Sequence, residues 1–341
     1  MHLVIPFAAP LSDAGRRALA SRALPRLAAF AARAEVVHRD EGDELSLSPP
    51  HERALARALG LAGGDGQLPW AAWWAAADGV DIGDLAWALL SPTHWHLGTD
   101  QVSLGDPEAL ALDETGSRAF LAVVQELFTS EGFVVAYGAP TRWYVAHESL
   151  AELPCASPDR VIGRNVDRWL PGRRGAGAGD SSRLIRRLQN EVQMQLHEHP
   201  LNQARERQGL PVLNSVWISG CGRAQAAKHP APDIDARLRA PALAEDWAAW
   251  CKAWDTLDAG PVAALSTAAE AGAAAQVTLC GERSSLTLAA RPRSAWQRLA
   301  MRWRRPSALP WRCVRCPTAI PWTRIRAGRC RPRDSYRLWR A

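Results

Sequence analysis

No run of about 18 apolar residues, the length needed to cross a bilayer as a helix, occurs in this 341-residue chain. The N-terminus lacks a basic start followed by an apolar core, so no secretory signal is read and the cytoplasm is the expected compartment. Histidine thins out after Gly222, where 119 residues hold one, His229. The seven cysteines are widely spaced. That argues against a disulfide framework and suits a reducing interior. Cys313 and Cys316 form one CxxC with Cys330 downstream, but a zinc ribbon needs a second pair and the tail supplies no histidine. No G-x-S-x-G elbow, Ser-His-Asp order or fixed-period repeat appears.

Acidic residues are scarce in one segment only. Residues 291–341 hold 15 Arg, no Lys and a single acid, Asp334, for a net +14. The first 290 residues hold 26 basic and 34 acidic residues, for a net −8. The formal charge of +6 is therefore a basic tail on an acidic body. Nucleic-acid binding by the folded body is not expected, and any such role falls to the tail. The tail is rich in Arg, Pro and Trp without periodicity. Over 306–341 it also reads like the out-of-frame translation of a GC-rich gene.

Helical and strand patterns alternate, which argues an α/β fold. Residues 1–60 are helix-prone, with an opening strand candidate (HLVIPF) and a polar loop at 38–50. A loop at 61–67 precedes a Trp-rich helix at 69–81. Short strands are expected at 102–104, 133–137 and 142–145, the last two as a hairpin. Helices are expected at 120–128 and 246–257, the latter with Trp247, Trp250, Cys251 and Trp254 as a core stripe. Strands at 276–280 and 285–288 follow. A Gly/Arg-rich linker at 172–180 divides an N-terminal α/β region (1–171) from a C-terminal one (181–290), ahead of the tail (291–341).

Residues 181–222 carry the densest chemistry. Ser181 or Ser182 caps a helix whose apolar stripe is Leu184, Ile185, Leu188, Val192 and Leu196. Arg186, Asn190, Gln193 and His197 share the opposite face. Amides and an imidazole bond directionally, so this face suits either a ligand or the backbone of an overlying loop. Pro200 breaks the helix, and Gly209 stops the next turn. A buried strand is expected over 212–218, interrupted by Asn214 and Ser215. Ser219, Gly220, Cys221 and Gly222 then read as a loop at its carboxyl end, where backbone amides can approach a phosphate.

His199-Pro200, Asn202, Arg205, Gly209, Asn214, Trp217, Gly220 and Gly222 keep a spacing that resembles archaeal-type cofactor-independent phosphoglycerate mutases. More broadly, SPTHWHLGTDQVSL (91–104), ASPDRVIGRNVDRWLP (156–171), LQNEVQMQLHEHPLNQARERQG (188–209), LNSVWISGCG (213–222) and LCGERS (279–284) resemble an uncharacterised proteobacterial family. That family is labelled phosphoglycerate mutase-like or "regulatory protein, RpfE type". The resemblance implies a reduced alkaline-phosphatase-like α/β core, which in active relatives holds two divalent metals through Asp and His and uses a Ser nucleophile. This chain departs from that pattern. Ala8, Ala9 and Pro10 follow the opening strand where a metal-binding Asp is expected, and His229 alone cannot ligate two metals.

Other candidates are isolated. His94 and His96 share a face if extended and are the one candidate for a divalent metal; no other cofactor is expected. Arg160, Arg164 and Asn165 in DRVIGRN can recognise an anion or pair with Asp159 and Asp167. Cys280 follows a strand, as a nucleophile or a buried core thiol. The leading expectation is a non-catalytic regulatory or small-ligand-binding protein taking an anionic or phosphorylated metabolite. The alternative is an enzyme using His197, Asn202, Arg205 and Asn214.

Overall fold

The computed structural model describes residues 1–172 and 179–290. The tail with its CxxC, including residues 306–341, and most of the 172–180 linker lie outside them. The fold is mixed α/β. Its strands are β1 (His2–Ala9), β2 (Ala34–Glu41), β3 (Ala86–Thr93), β4 (Trp95–Leu97), β5 (Val102–Leu104), β6 (Val134–Ala139), β7 (Arg142–Ala146), β8 (Ser215–Arg223), β9 (Asp233–Ile234), β10 (Gln276–Gly281) and β11 (Ser284–Ala290). Its α-helices are α1 (Asp13–Ala20), α2 (Pro25–Ala31), α3 (Pro50–Leu59), α4 (Trp70–Ala77), α5 (Glu114–Thr129), α6 (Pro158–Val161), α7 (Asp180–Leu196), α8 (Pro200–Arg207), α9 (Arg239–Leu243), α10 (Trp247–Leu257) and α11 (Ala263–Glu270). No described helix is long and apolar enough to cross a membrane.

The chain forms two compact units. One comprises Met1–Arg39, Asp235–Leu279 and residues 286–290; the other comprises Asp40–Ile234 and Cys280–Ser285. The expected division at 172–180 is not where the units part. The α7 stripe (Ile185, Leu188, Val192, Leu196) shares one buried core with Phe120, Val124 and Phe128 of α5 and Trp143 of β7. Helix α7 therefore belongs to the same unit as 86–146.

In the first unit the strand order is β2-β11-β10-β1. Ile5, Leu27, Phe30, Val277, Trp250 and Trp254 form its core, with Trp247 and Cys251 packed at the margin, so the expected tryptophan stripe faces inward. The Asp246 carboxylate accepts from the Ala249 amide at 2.9 Å and so caps α10. Asp258, buried, accepts from the amides of Arg26 and Leu27 at 3.1 and 2.8 Å, satisfying the open start of α2. Strand β2 covers residues expected to be helix and loop. It lies at the sheet edge with mostly exposed side chains, so the inward alternation that marks a strand is missing.

In the second unit β6-β7-β3-β8 form a four-stranded sheet, with β3 antiparallel to both neighbours and β6–β7 a hairpin as expected. Strand β8 is longer than the sequence suggested. It runs through Ser219–Gly222, which is strand and not a phosphate-cradling loop. The two glycines explain the difference. Register slips between Trp87↔Gly222 and Leu89↔Ser219, so Gly220 and Cys221 face the single residue Ala88 in a bulge. Gly220 takes φ +64 there, and a Cβ would lie 3.0 Å from the Ala71 amide nitrogen and 3.1 Å from Trp70 Cβ. The bulge thus admits α4 onto the face of β8.

Replacing Gly220 with Ala should cost about 2 kcal/mol or more, from the left-handed backbone and the pressed α4 backbone. A lowered urea midpoint checks this; an unchanged midpoint would show that α4 does not depend on the bulge.

Candidate functional site

The amide cluster of residues 189–215 is brought together, but its members bond to each other and to the backbone. Asn202, buried at the start of α8, donates through Nδ2 to the Leu196 and Leu213 carbonyls at 2.9 and 2.7 Å. Its Oδ1 accepts from the Leu213 amide at 2.9 Å. Asn214 pairs with both backbone groups of Trp95, accepting from N–H at 2.7 Å and donating to C=O at 2.9 Å. Gln193 donates to the Ser215 hydroxyl at 3.1 Å, and Gln189 donates to the Val216 carbonyl at 3.1 Å. Arg205 spends its guanidinium on the Pro211 carbonyl at 2.7 Å and on the Leu110 carbonyl. His199 caps α8, accepting at Nδ1 from the Leu201 amide at 3.3 Å. Asn190 and His197 are exposed. The bonded members take the loop-supporting arrangement.

The arginine pair is spent likewise. Arg160 is 3% exposed and donates to the carbonyls of Ser46, Glu282 and Glu44 at 2.8, 2.7 and 2.7 Å. Burial, with Arg164 and Arg53 nearby, pushes its pKa down to about 10. It pins loop carbonyls and offers no fork to an anion. Arg164 lies 3.4 Å from the Glu282 carboxylate, and Asn165 accepts from the Asp167 amide at 2.9 Å. Burial pushes the Cys280 thiol far up, which makes it a core thiol and not a nucleophile.

His94 and His96 do meet, with ring centroids 4.3 Å apart. Nδ1 of His94 lies 2.8 Å from the Val212 carbonyl, which can only accept, so Nδ1 donates there. Burial first, and His94 second, lower the His96 pKa. No group of three or more His, Cys, Asp or Glu able to hold a metal occurs among the described residues.

One expected residue, Ser219, lines a cavity of about 220 Å³ within the second unit. Helix α3 supplies His51 and Glu52, α4 supplies Trp70 and Trp74, β3 supplies Leu89 and Ser91, and the segment entering α6 supplies Ser157. Their placement follows from local chemistry. Asp65 accepts from the amides of Leu47 and Ser48, both at 2.8 Å, and the Ser48 hydroxyl accepts from the Gly66 amide at 2.8 Å. These bonds fix the turn that launches α3, with Pro50 in its first turn. Leu89 and Ser91 are two apart on β3, and Ser219 is the cross-strand partner of Leu89, so all three face one side.

The carboxyl of Glu52 accepts from the Ser157 hydroxyl at 2.5 Å, and His51 Nε2 lies 3.3 Å from Asp159. Burial pushes the Glu52 pKa up to about 7; His51 and the Ser157 bond oppose that rise and Asp159 adds to it. Arg142, which also lines the cavity, is held by Asp78 through Nη2 at 2.8 Å, and Tyr144 donates to the same carboxylate at 2.6 Å. Two buried polar atoms of lining residues have no hydrogen-bond partner, the Ser219 hydroxyl and the Trp70 indole nitrogen. Sequence reading missed His51, Glu52 and Ser157. A cue was present in PHER at 50–53 and SPDR at 157–160, both proline-started helix entries carrying acid next to His, Arg or Ser.

No protein-family model matches the chain, and no curated protein matches it. Among solved structures, the cofactor-independent phosphoglycerate mutase from Thermoplasma acidophilum is 14% identical, over 84% of this chain and 89% of that one, at a TM-score of 0.35. The PH0037 protein from Pyrococcus horikoshii is 12% identical over 85% and 87%, at a TM-score of 0.41. The likeness is that of a distant fold.

Two outcomes distinguish the supporting network from the cavity. Asn202→Ala strands the Leu196 and Leu213 backbone groups and should cost about 2–4 kcal/mol, read as a lowered urea midpoint. A near-neutral result would mean that Asn202 is free for a ligand.

Glu52 behaves in the opposite sense. Its folded pKa lies above the ordinary 4.5, so the unfolded chain releases the proton first and stability falls as pH rises from about 4.5 to 7. The full span bounds this penalty at about 3 kcal/mol, and solvent access to the half-buried carboxyl reduces it to about 1–2 kcal/mol. Glu52→Gln should therefore raise the melting temperature at pH 8 and leave it unchanged near pH 4. Equal effects at both pH values would place the carboxyl in water.

Proposed function

We propose that this protein acts by binding a small molecule in the cavity of its second unit. The scaffold would be a reduced alkaline-phosphatase-like core that does not perform two-metal phosphoryl transfer. The observation that carries the reading is the convergence of Glu52, Ser157, Ser91 and Ser219 on one apolar-walled cavity, with a carboxyl titrating near 7 among them. Ligand sites combine a mostly apolar lining with a few convergent polar groups, and perturbed carboxyls concentrate in them. The resemblance over 91–283 supports the scaffold. The single histidine after Gly222 argues against the metals. A regulatory role in the cytoplasm fits a protein that binds without turning over.

The phosphorylated ligand expected from the sequence finds less support, because Arg160 and Arg205 are committed to backbone carbonyls. A second reading, an enzyme, is favoured by Glu52 itself. A carboxyl titrating near neutrality is poised to take and return a proton at the pH of the cell.

A thermal-shift screen of the full chain against small metabolites, with and without EDTA, tests the proposal. At least one compound should raise the melting temperature in the presence of EDTA, since a ligand bound only by the native state stabilises it. Ser91→Leu, which fills the cavity, should abolish that shift. A shift that requires Mn²⁺ or Mg²⁺ and survives Ser91→Leu would overturn the reading. Conversion of the bound compound, followed by NMR, would select the enzyme.

A further inference from the structure

We infer that Cys155 and Cys221 are an oxidant-responsive modification site: in the folded chain their thiols convert reversibly to a disulfide that fastens β8 to the segment leading into α6. The inference goes beyond the binding reading and does not depend on what the cavity takes.

Proximity carries it. The Cys221 thiol donates to the Cys155 sulfur at 3.5 Å, between residues 66 apart in the chain. Both belong to the second unit and to one buried core. Each backbone is anchored, Cys155 by its amide donating to the Gly66 carbonyl at 2.9 Å and Cys221 by its place in β8. The two thiols are therefore held against each other. A disulfide spans about 2.05 Å, so the sulfurs must close by roughly 1.5 Å, a movement that rotation of both short side chains can share. Other described thiols are placed differently. Cys251 lies in the first unit and turns toward the Ala18 carbonyl, and Cys280 is buried near Arg57 and Asp40.

Access sets the order of events. Cys155 lines the cavity of about 220 Å³, whereas Cys221 is fully enclosed. Hydrogen peroxide is little larger than water and fits that space. It meets Cys155 first. The Cys155 sulfur attacks one peroxide oxygen, the O–O bond breaks, and a sulfenic acid and one water form. The Cys221 sulfur then attacks the sulfenic sulfur, the S–O bond breaks, and a second water leaves. Two thiols are oxidised by two electrons and one peroxide is reduced to two waters. The Cys221 contact first, and burial second, hold the Cys155 thiol well above its ordinary range, so the first step is slow. The second is fast, because the attacking thiol is already in contact.

The bond would act on the cavity wall. Cys155 stands two residues before Ser157, and Cys221 two after Ser219, and both serines line the cavity. The link also closes a long loop and so restricts the unfolded chain. In reducing surroundings such bonds are transient and respond to oxidant.

Treatment of the folded full chain with hydrogen peroxide, then alkylation, trypsin digestion and mass spectrometry, tests this. Tryptic peptides 143–160 and 208–223 each hold one cysteine. They should appear joined, lighter than their sum by two hydrogens, and separate again after dithiothreitol. The oxidised chain should melt ~5 °C or more above the reduced one. Cys221→Ala should abolish both the joined peptide and that rise. The peptide result on the unsubstituted chain stands even if the variant does not fold. Joining seen only after unfolding in urea, or either cysteine joined to a different one, would overturn the inference. So would over-oxidation of Cys155 with Cys221 left as a thiol, or a melting rise that persists in Cys221→Ala.

Discussion

The pairing of β3 with β8 is the constraint on which the rest of the second unit depends. It joins Leu89 to Ser219 across more than a hundred residues of chain, so its loop-closure cost must be met by what packs on it. One face receives α7, whose Ile185, Leu188, Val192 and Leu196 share a core with Val216 and Ile218. Another approach is made by α4, which the bulge at Gly220 admits to within contact of the strand backbone. The cavity sits where the pairing and that approach meet, lined by Leu89, Ser91 and Ser219 from the strands and Trp70 from the helix. A wall built from paired strands holds its hydroxyls more firmly than a loop can, and fixed groups lose less entropy when a ligand arrives.

The polar residues around β8 divide by one criterion, whether the backbone nearby is short of partners. Between Leu196 and Ser215 the chain leaves a helix, turns, makes a second short helix and enters a strand. Each change of structure leaves amides and carbonyls without ladder partners. Asn202, Asn214, Gln189 and Arg205 supply them, which is why amides and a guanidinium sit where lysine and glutamate would serve an ordinary surface. Their spacing in the sequence records that need. A ligand would require the same residue types, so composition alone cannot separate the two, and only the position of the Leu213 and Trp95 backbone groups does.

Much of the architecture was legible because its signals are local. The stripe of α7, the Pro200 break, the Gly209 stop, the β6–β7 hairpin and the tryptophan stripe of α10 each rest on periodicity or backbone chemistry within a few residues. Strand β2 was hidden because an edge strand with exposed side chains has no inward alternation to read. The Gly220–Gly222 segment was misread for a related reason. Glycines that permit a loop also permit a bulge, and only the partner strand decides which. The site was the least legible part. Ser219 was read for the wrong reason, as a loop residue, and Glu52 and Ser157 lie far apart in sequence within ordinary helix-entry signals. Their significance arises when α3 and the start of α6 converge.

Glu52 is the residue whose presence packing does not explain. A glutamine has the same shape, can accept the Ser157 hydrogen bond and has no charge to desolvate, so on stability alone it would serve better at neutral pH. Burial instead holds a titrating carboxyl in the cavity wall, at a cost to the folded state above pH 4.5. Such costs are tolerated where a group has work to do with something other than its own protein. Arg142 shows the contrast. Its Asp78 partner lies within hydrogen-bond distance, Tyr144 donates to the same carboxylate, and the whole assembly is satisfied without a ligand. The cavity therefore sets a wall that is complete in itself, at Arg142, against one that carries a titrating carboxyl, at Glu52.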